Sequence, residues 1–445
     1  MALQDDLEPI VIAIAVEAEK RWQYLLSSIP DLDLAQEAGA WEDAHHEYSF
    51  SVAELQTRFR EFYVLDAFDF MTTANALSTP SEAKPNTWNP TQSDSVPGPT
   101  FGSTGPLVST VSAGTAFGDV AVADETYVRP VLGMIYAKQW SGPAALTFYS
   151  HFLYPFHVAA DWQGAYIKEM ALAAVILAKV VETIEHAILF IAKSCLSALR
   201  FHQMYASGDG DWRTDLGTIS TALAAFGLAL PASAAAIVVG VASLVSGVVS
   251  SFKLASDDKP YIEVDYNDAP QQIIVNTMYA INNLREWIAN VDGAIARGLD
   301  TDITSGDRFG SKNLTLETVD LSPHELGHLD IQDGDGKPPD QLVVALQDLA
   351  RAGYFNLPRA AREYYDAVSA VHGAQVPGSV SSMFPRSVPL FNEAAQMLEN
   401  ILQKTMNQLE NAGQALYEAV LHYKAGEKEN AKIVAGLAEI IPDHF

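Results

Sequence analysis

The chain has 445 residues, 49% of them hydrophobic, with 55 acidic against 27 basic side chains and a formal net charge of -28. That length holds a real core and that apolar share excludes disorder throughout. The charge argues against nucleic acid as a partner, because phosphate recognition needs a Lys/Arg surface. The single cysteine, Cys195, leaves no internal disulfide, CxxC redox pair or Cys-rich zinc site.

In chain order, residues 1–78 read as an N-terminal helical segment. Leu7, Ile10, Ile14 and Val16 to Ala18 fall near one face of a first helix that runs through Trp22 and ends before Pro30. A second follows through Trp41, Val52, Leu55, Phe59 and Phe62. The start of the chain is acidic (Asp5, Asp6, Glu8), and the apolar run Ile10 to Val16 is too short for a secretory h-region. No Sec-type signal is visible, so a chain that leaves the cell does so by another route.

Residues 79–126 form a Pro/Ser/Gly-rich loop or linker. Pro80, Pro85, Pro90, Pro97, Pro99 and Pro106 interrupt any helix there, and short strands are expected near Val108 and Val120. Residues 127–298 make the main helical body. Within it Ala165 to Arg200 reads as one apolar helix, with no polar side chain from Met170 to Ala178, so it should be buried on most of its circumference.

Leu216 to Phe252 carries 37 residues without a charge and is split by Pro231. Ala236, Gly240, Ser243 and Gly247 stand at helical spacing, which lets two helix backbones approach closely. Two readings of this helical hairpin stay open. It is a buried core element, or it inserts into a bilayer, for which its second half of 21 residues is long enough.

Asn267 to about Ala296 is an amphipathic helix through Ile274, Met278, Ile281, Leu284 and Ile288. Residues 299–340 read as an irregular Gly/Asp/Pro-rich loop. Residues 341–445 hold C-terminal helices that end in a long seam helix from Pro389 to about Gly436. Phe391, Ala395, Leu398, Leu402, Thr405, Leu409, Ala412, Leu416, Val420 and Tyr423 repeat there at spacings of three and four, a packing seam for another helix. The fold class expected is therefore mainly α: an elongated helical bundle with a central uncharged hairpin and a Pro/Gly/Ser-rich insertion.

Catalytic signals are sparse. His324, Glu325 and His328 match H-E-x-x-H, in which two histidines one turn apart bind zinc and the glutamate activates water. Ser322, Pro323 and Glu325 equally spell a capping box with proline at the first helical position, and that reading is preferred, so no metal is expected. Asp330, Asp333, Asp335 and Gly336 resemble a calcium loop, but Ile331 and Leu342 occupy its end-ligand positions. Cys195 reads as a buried small hydrophobe. No catalytic residue and no cofactor is expected.

Asp161-Trp162-Gln163-Gly164 reads as a turn leading into the long apolar helix, and Tyr423-x-x-x-Glu427 ends the seam helix. Together they resemble the Trp-x-Gly helical-hairpin substrates of actinobacterial type VII (ESX) secretion systems. The resemblance implies that Trp162 plugs the top of a hairpin, that Gly164 lets the chain turn, and that Tyr423 and Glu427 are read by an export ATPase. It further implies a non-enzymatic protein, secreted or at the cell surface. Its partners would be the secretion machinery or a helical protein, with membrane lipid and a second copy as further candidates. A pore-forming α-helical toxin component that hides residues 216–252 until it meets a bilayer is the alternative function, and a zinc peptidase on His324 and His328 the third.

Overall fold

A computed structural model describes residues 3–27, 34–78, 114–136, 143–200, 269–304, 311–316 and 346–425. All regular structure among them is helical, and no strand occurs. Helices α1 (Leu3–Ser27), α2 (Leu34–Arg60) and α3 (Ala67–Leu77) open the chain. After them come α4 (Ala116–Val122), α5 (Arg129–Tyr136), α6 (Pro143–Phe148) and the 46-residue α7 (Tyr154–Leu199). Then follow α8 (Pro270–Thr304), α9 (Leu357–Gly373) and α10 (Ser387–Ala425).

The central element is α7, about 69 Å long at 1.5 Å per residue. Met170 to Ala178 is buried on every side, as its composition requires, because α1, α3, α4, α8 and α10 all pack on this helix. The seam of α10 is equally complete: Phe391, Leu398, Leu402, Leu409 and Leu416 are all buried, and α9 covers much of it. In α1 the buried stripe is Leu3, Leu7, Val11, Ile14, Ala18 and Trp22, whereas Val16, expected on that stripe, is 50% exposed. The 3.6-residue period places it on the opposite side.

Named contacts give the helix directions. Glu8 pairs with Arg60, Val11 O accepts from Gln56, and Ala18 O accepts from the Tyr48 hydroxyl, so α1 and α2 run antiparallel. Arg58 donates to Asn282 at 2.7 Å and Glu61 pairs with Arg285, so α2 and α8 run parallel. Cys195, near the end of α7, is hydrogen-bonded to Thr277, near the start of α8. Leu314, beyond the end of α8, accepts from Gln163, near the start of α7. Helices α7 and α8 are therefore antiparallel neighbours. Asp292 of α8 binds the start of α10 at Ser387, and Thr405 further along α10 binds Gln163, so α10 also runs against α7.

Several sequence expectations are corrected. Val120 lies in a helix, not a strand: Thr115 accepts from the Gly118 N–H at 2.9 Å, Asp119 accepts from the Gly114 N–H at 2.8 Å, and these caps start α4 inside the expected loop 79–126. Gly114 makes this possible with φ 119°, a left-handed conformation in which a side chain is strained. The long apolar helix begins at Tyr154 rather than Ala165, and α8 runs to Thr304, into the stretch expected to be irregular from 299. Val108, Pro30 and the seam helix beyond Ala425 lie outside the described residues.

Helical runs also pass through prolines that ought to break them. A proline lacks the N–H for the i−4 carbonyl and crowds that carbonyl with its ring. Pro130, Pro155 and Pro358 each stand two residues after a π turn, at Ala123–Val128, Tyr149–Leu153 and Ala352–Asn356. In each case the carbonyl that loses its donor lies inside the widened turn, where i→i+5 bonding relieves the clash.

Candidate functional site

Two regions of α7 carry the features that could act. The first surrounds the Trp162-Gln163-Gly164 tripeptide. It is not a turn: it sits inside the continuous helix α7, more than two turns from its start, and Pro155 at the head of that helix is accommodated by the preceding π turn. Trp162 is half-buried against the core rather than capping a hairpin. Gly164 serves packing: a Cβ there would meet the Phe117 ring at 3.2 Å, so its absence gives α4 a seat on α7. Lys168, one turn on, lies 4.1 Å from the centre of the same ring.

The middle residue, which the sequence did not single out, is the best-connected of the three. Gln163 is fully buried, and its amide donates to Leu314 O and to Thr405 Oγ1, each at 2.8 Å. Its carbonyl accepts from the Tyr364 hydroxyl at 2.8 Å. Thr405 passes its own proton to Ile401 O at 3.2 Å. One side chain thus ties α7 to α9, α10 and the 311–316 strap, with no amide hydrogen or oxygen left bare. Burial pushes the Tyr364 hydroxyl well above the ordinary tyrosine range, and nearby Asp124 adds to the shift. Asp124 itself, from the π turn after α4, pairs with His157 of α7 in the same buried layer. A lone threonine in an otherwise apolar seam was the one sequence signal of this node; Tyr364 gave none.

The second region is the other end of α7. There Cys195 is fully buried, and burial pushes its thiol up to about 12, which makes it inert at neutral pH. Around it Trp22 stacks on Tyr48 at 5.0 Å, meets Trp41 edge-on at 6.2 Å and lies 5.5 Å from His45. Arg200 reaches Glu17 at 3.4 Å. Because α7 and α8 are antiparallel, the chain leaves this end at Leu199 and returns to it at Pro270. The uncharged stretch 216–252, with Pro231, Ala236, Gly240, Ser243 and Gly247, belongs to the interval between and lies outside the described residues.

Trp162 stands about 55 Å along α7 from Leu199. Tyr423 lies on α10 about 27 Å past the Gln163–Thr405 contact in the direction away from Leu199. Both therefore occupy the half of the bundle opposite Leu199 and Pro270. Glu427, His324, Glu325, His328 and the aspartates Asp330, Asp333 and Asp335 lie outside the described residues. Among those described, no group of three His, Cys, Asp or Glu could hold a metal ion, and no helix is long and apolar enough to cross a membrane. His186 is an exposed helix-face histidine. Comparison with protein-family models, curated proteins and solved structures finds no match.

Proposed function

We propose that this chain is a non-enzymatic, exported helical protein that acts on membranes as a pore-forming component. The single observation that carries the reading is that α7 ends at Leu199 and its antiparallel neighbour α8 starts at Pro270 at the same end of the bundle, while the sequence between them holds 37 uncharged residues. The seam of α10 and the Gln163 node lie along the bundle rather than at that end, so insertion of the uncharged residues into a bilayer would leave both in place. Export by a type VII route is the companion proposal, and it rests on the Tyr423-x-x-x-Glu427 spacing, since Trp162 and Gly164 lie inside α7.

Dye release from phosphatidylcholine liposomes tests the membrane reading. Wild type releases the dye, and a variant with Gly240→Asp and Gly247→Asp does not, because a charge at the bilayer centre costs about 2.5–3.5 kcal/mol on the insertion scale. The absence of leakage by the wild type across pH and lipid composition removes the proposal. Export is tested by deleting residues 423–427: unchanged secretion of a folded chain removes the type VII route.

A further inference from the structure

Among the described residues, arginines and aromatic rings cluster on one exposed face. In a chain of net charge -28, the outer face of α9 and the residues before it expose Arg351, Arg359 and Arg362 beside the carboxylates of Asp348, Glu363 and Asp366, the last of which pairs with Arg362 at 3.4 Å. Aromatic rings interleave with the guanidiniums. Phe355 is 43% exposed and Tyr365 48%. Arg359 lies 5.3 Å from the Phe355 ring centre and Arg362 4.8 Å from that of Tyr365. Each guanidinium thus lies against a ring and keeps donors for a carboxylate, and the exposed i,i+4 pair of Arg362 with Asp366 is weak enough to exchange. Exposed aromatics beside arginine are the composition of interface cores.

The complementary face is on α2. Asp43, Glu47 and Phe50, spaced by four and three, share one side of the helix, and all are exposed, Phe50 to 69%. It offers two carboxylates and one bare ring, where the α9 face offers guanidiniums and rings. The two faces cannot meet within one molecule. Tyr364 of α9 binds Gln163, while Tyr48 of α2 feels Cys195, 32 residues or about 48 Å further along α7.

We propose that the Arg–aromatic face of α9 docks on the acidic face of α2 of a second copy of this chain. The contact is head-to-tail, so it propagates and closes into a ring where the rotation allows. The committed occupant is a second copy because the charge and ring patterns match between these two faces. Self-repulsion of so acidic a chain opposes assembly at low salt. Near 0.15 M, where the Debye length is about 8 Å, the remote charges are screened but the direct pairs are not, and assembly is strongest there.

The test is a charge exchange on the full-length chain, read by sedimentation velocity in 0.15 M salt and by cross-linking on neutral phosphatidylcholine vesicles. Wild type assembles in at least one of the two settings. The variants Arg359→Glu/Arg362→Glu and Asp43→Lys/Glu47→Lys each assemble about tenfold or more weakly, because attractive pairs have become repulsive. An equimolar mixture of the two recovers assembly, since every contact between unlike variants is complementary again. All four substitutions are on exposed helix faces, so folding is retained, and circular dichroism checks it. Three results overturn the proposal: a wild type that stays monomeric in both settings, variants that assemble as wild type does, or a mixture that stays monomeric. Binding of monomers to anionic vesicles through Arg359 and Arg362 also overturns it and assigns the face to lipid. The outcome is separable from the membrane reading, because assembly without dye release sustains this contact alone, and dye release indifferent to the exchange sustains only the other.

Discussion

Gln163 illustrates how much of this bundle depends on single polar groups. A buried amide is tolerated only when all its partners are in place, and here they come from three other segments. Gln163→Leu leaves the Tyr364 hydroxyl and the Leu314 carbonyl without their partner in an apolar layer, so it should cost about 2–6 kcal/mol of stability at roughly 1–3 kcal/mol per orphaned group. Adding Tyr364→Phe removes one orphan and should return part of that loss. Urea unfolding of the two single variants and the double variant measures the coupling, and additive losses would contradict a shared node. The same logic explains Asp292, whose buried carboxylate accepts from Ser387 N at 2.8 Å, Ser387 Oγ at 2.6 Å and Arg386 N at 3.1 Å. It caps α10 from a neighbouring helix and favours the positive end of that helix dipole. Neither role is visible in a residue's own neighbourhood in the chain, because every partner is distant in sequence.

At the level of elements, contacts between helices are set by where backbone can touch backbone. The π turn before α9 crosses α10 at Gly353 and Gly413. A Cβ on Gly353 would sit 2.7 Å from Tyr417 N and 2.8 Å from Gly413 O, distances that only backbone movement can relieve. Gly133 in α5 is the contrast, with nothing within 4 Å of the same position. Gly353→Ala should therefore destabilise by about 1–3 kcal/mol through overpacking. Gly133→Ala should instead stabilise by about 0.5–1 kcal/mol, because alanine loses less chain entropy in a helix. Thermal unfolding of the two variants decides between them, and equal shifts would show that the crossing is not tight. Sequence period identified these helices well, since the seam positions of α10 from Phe391 to Val420 and the apolar core of α7 are buried as read. It misjudged their ends: Thr115 and Asp119 capped α4 inside a proline-rich stretch, and π turns carried helices through Pro130, Pro155 and Pro358.

The whole molecule is governed by its charge. With 55 acidic side chains and 27 basic ones, remote repulsion lowers the stability of the compact state, and salt screens it. The melting temperature should rise between 10 mM and 150 mM sodium chloride, over which the Debye length falls from about 30 Å to about 8 Å. A melting temperature that falls over this range would mean that local ion pairs such as Arg60–Glu8 outweigh the global field.

Composition and hydrophobic period alone were enough for a mainly helical protein, for α7 as its buried centre, and for the seam of α10, because burial of one face is written in the spacing of apolar residues along a single helix. Trp162 and Gly164 could be seen but not understood in that way: the tripeptide spells a turn, and the bundle makes it helix. The Gln163 node, the seat of Phe117 on Gly164, the Gly353–Gly413 crossing and the return of the chain at Pro270 beside Leu199 were decided only by tertiary structure. Each joins residues far apart in the chain, and a pairing between helices leaves no period within either one.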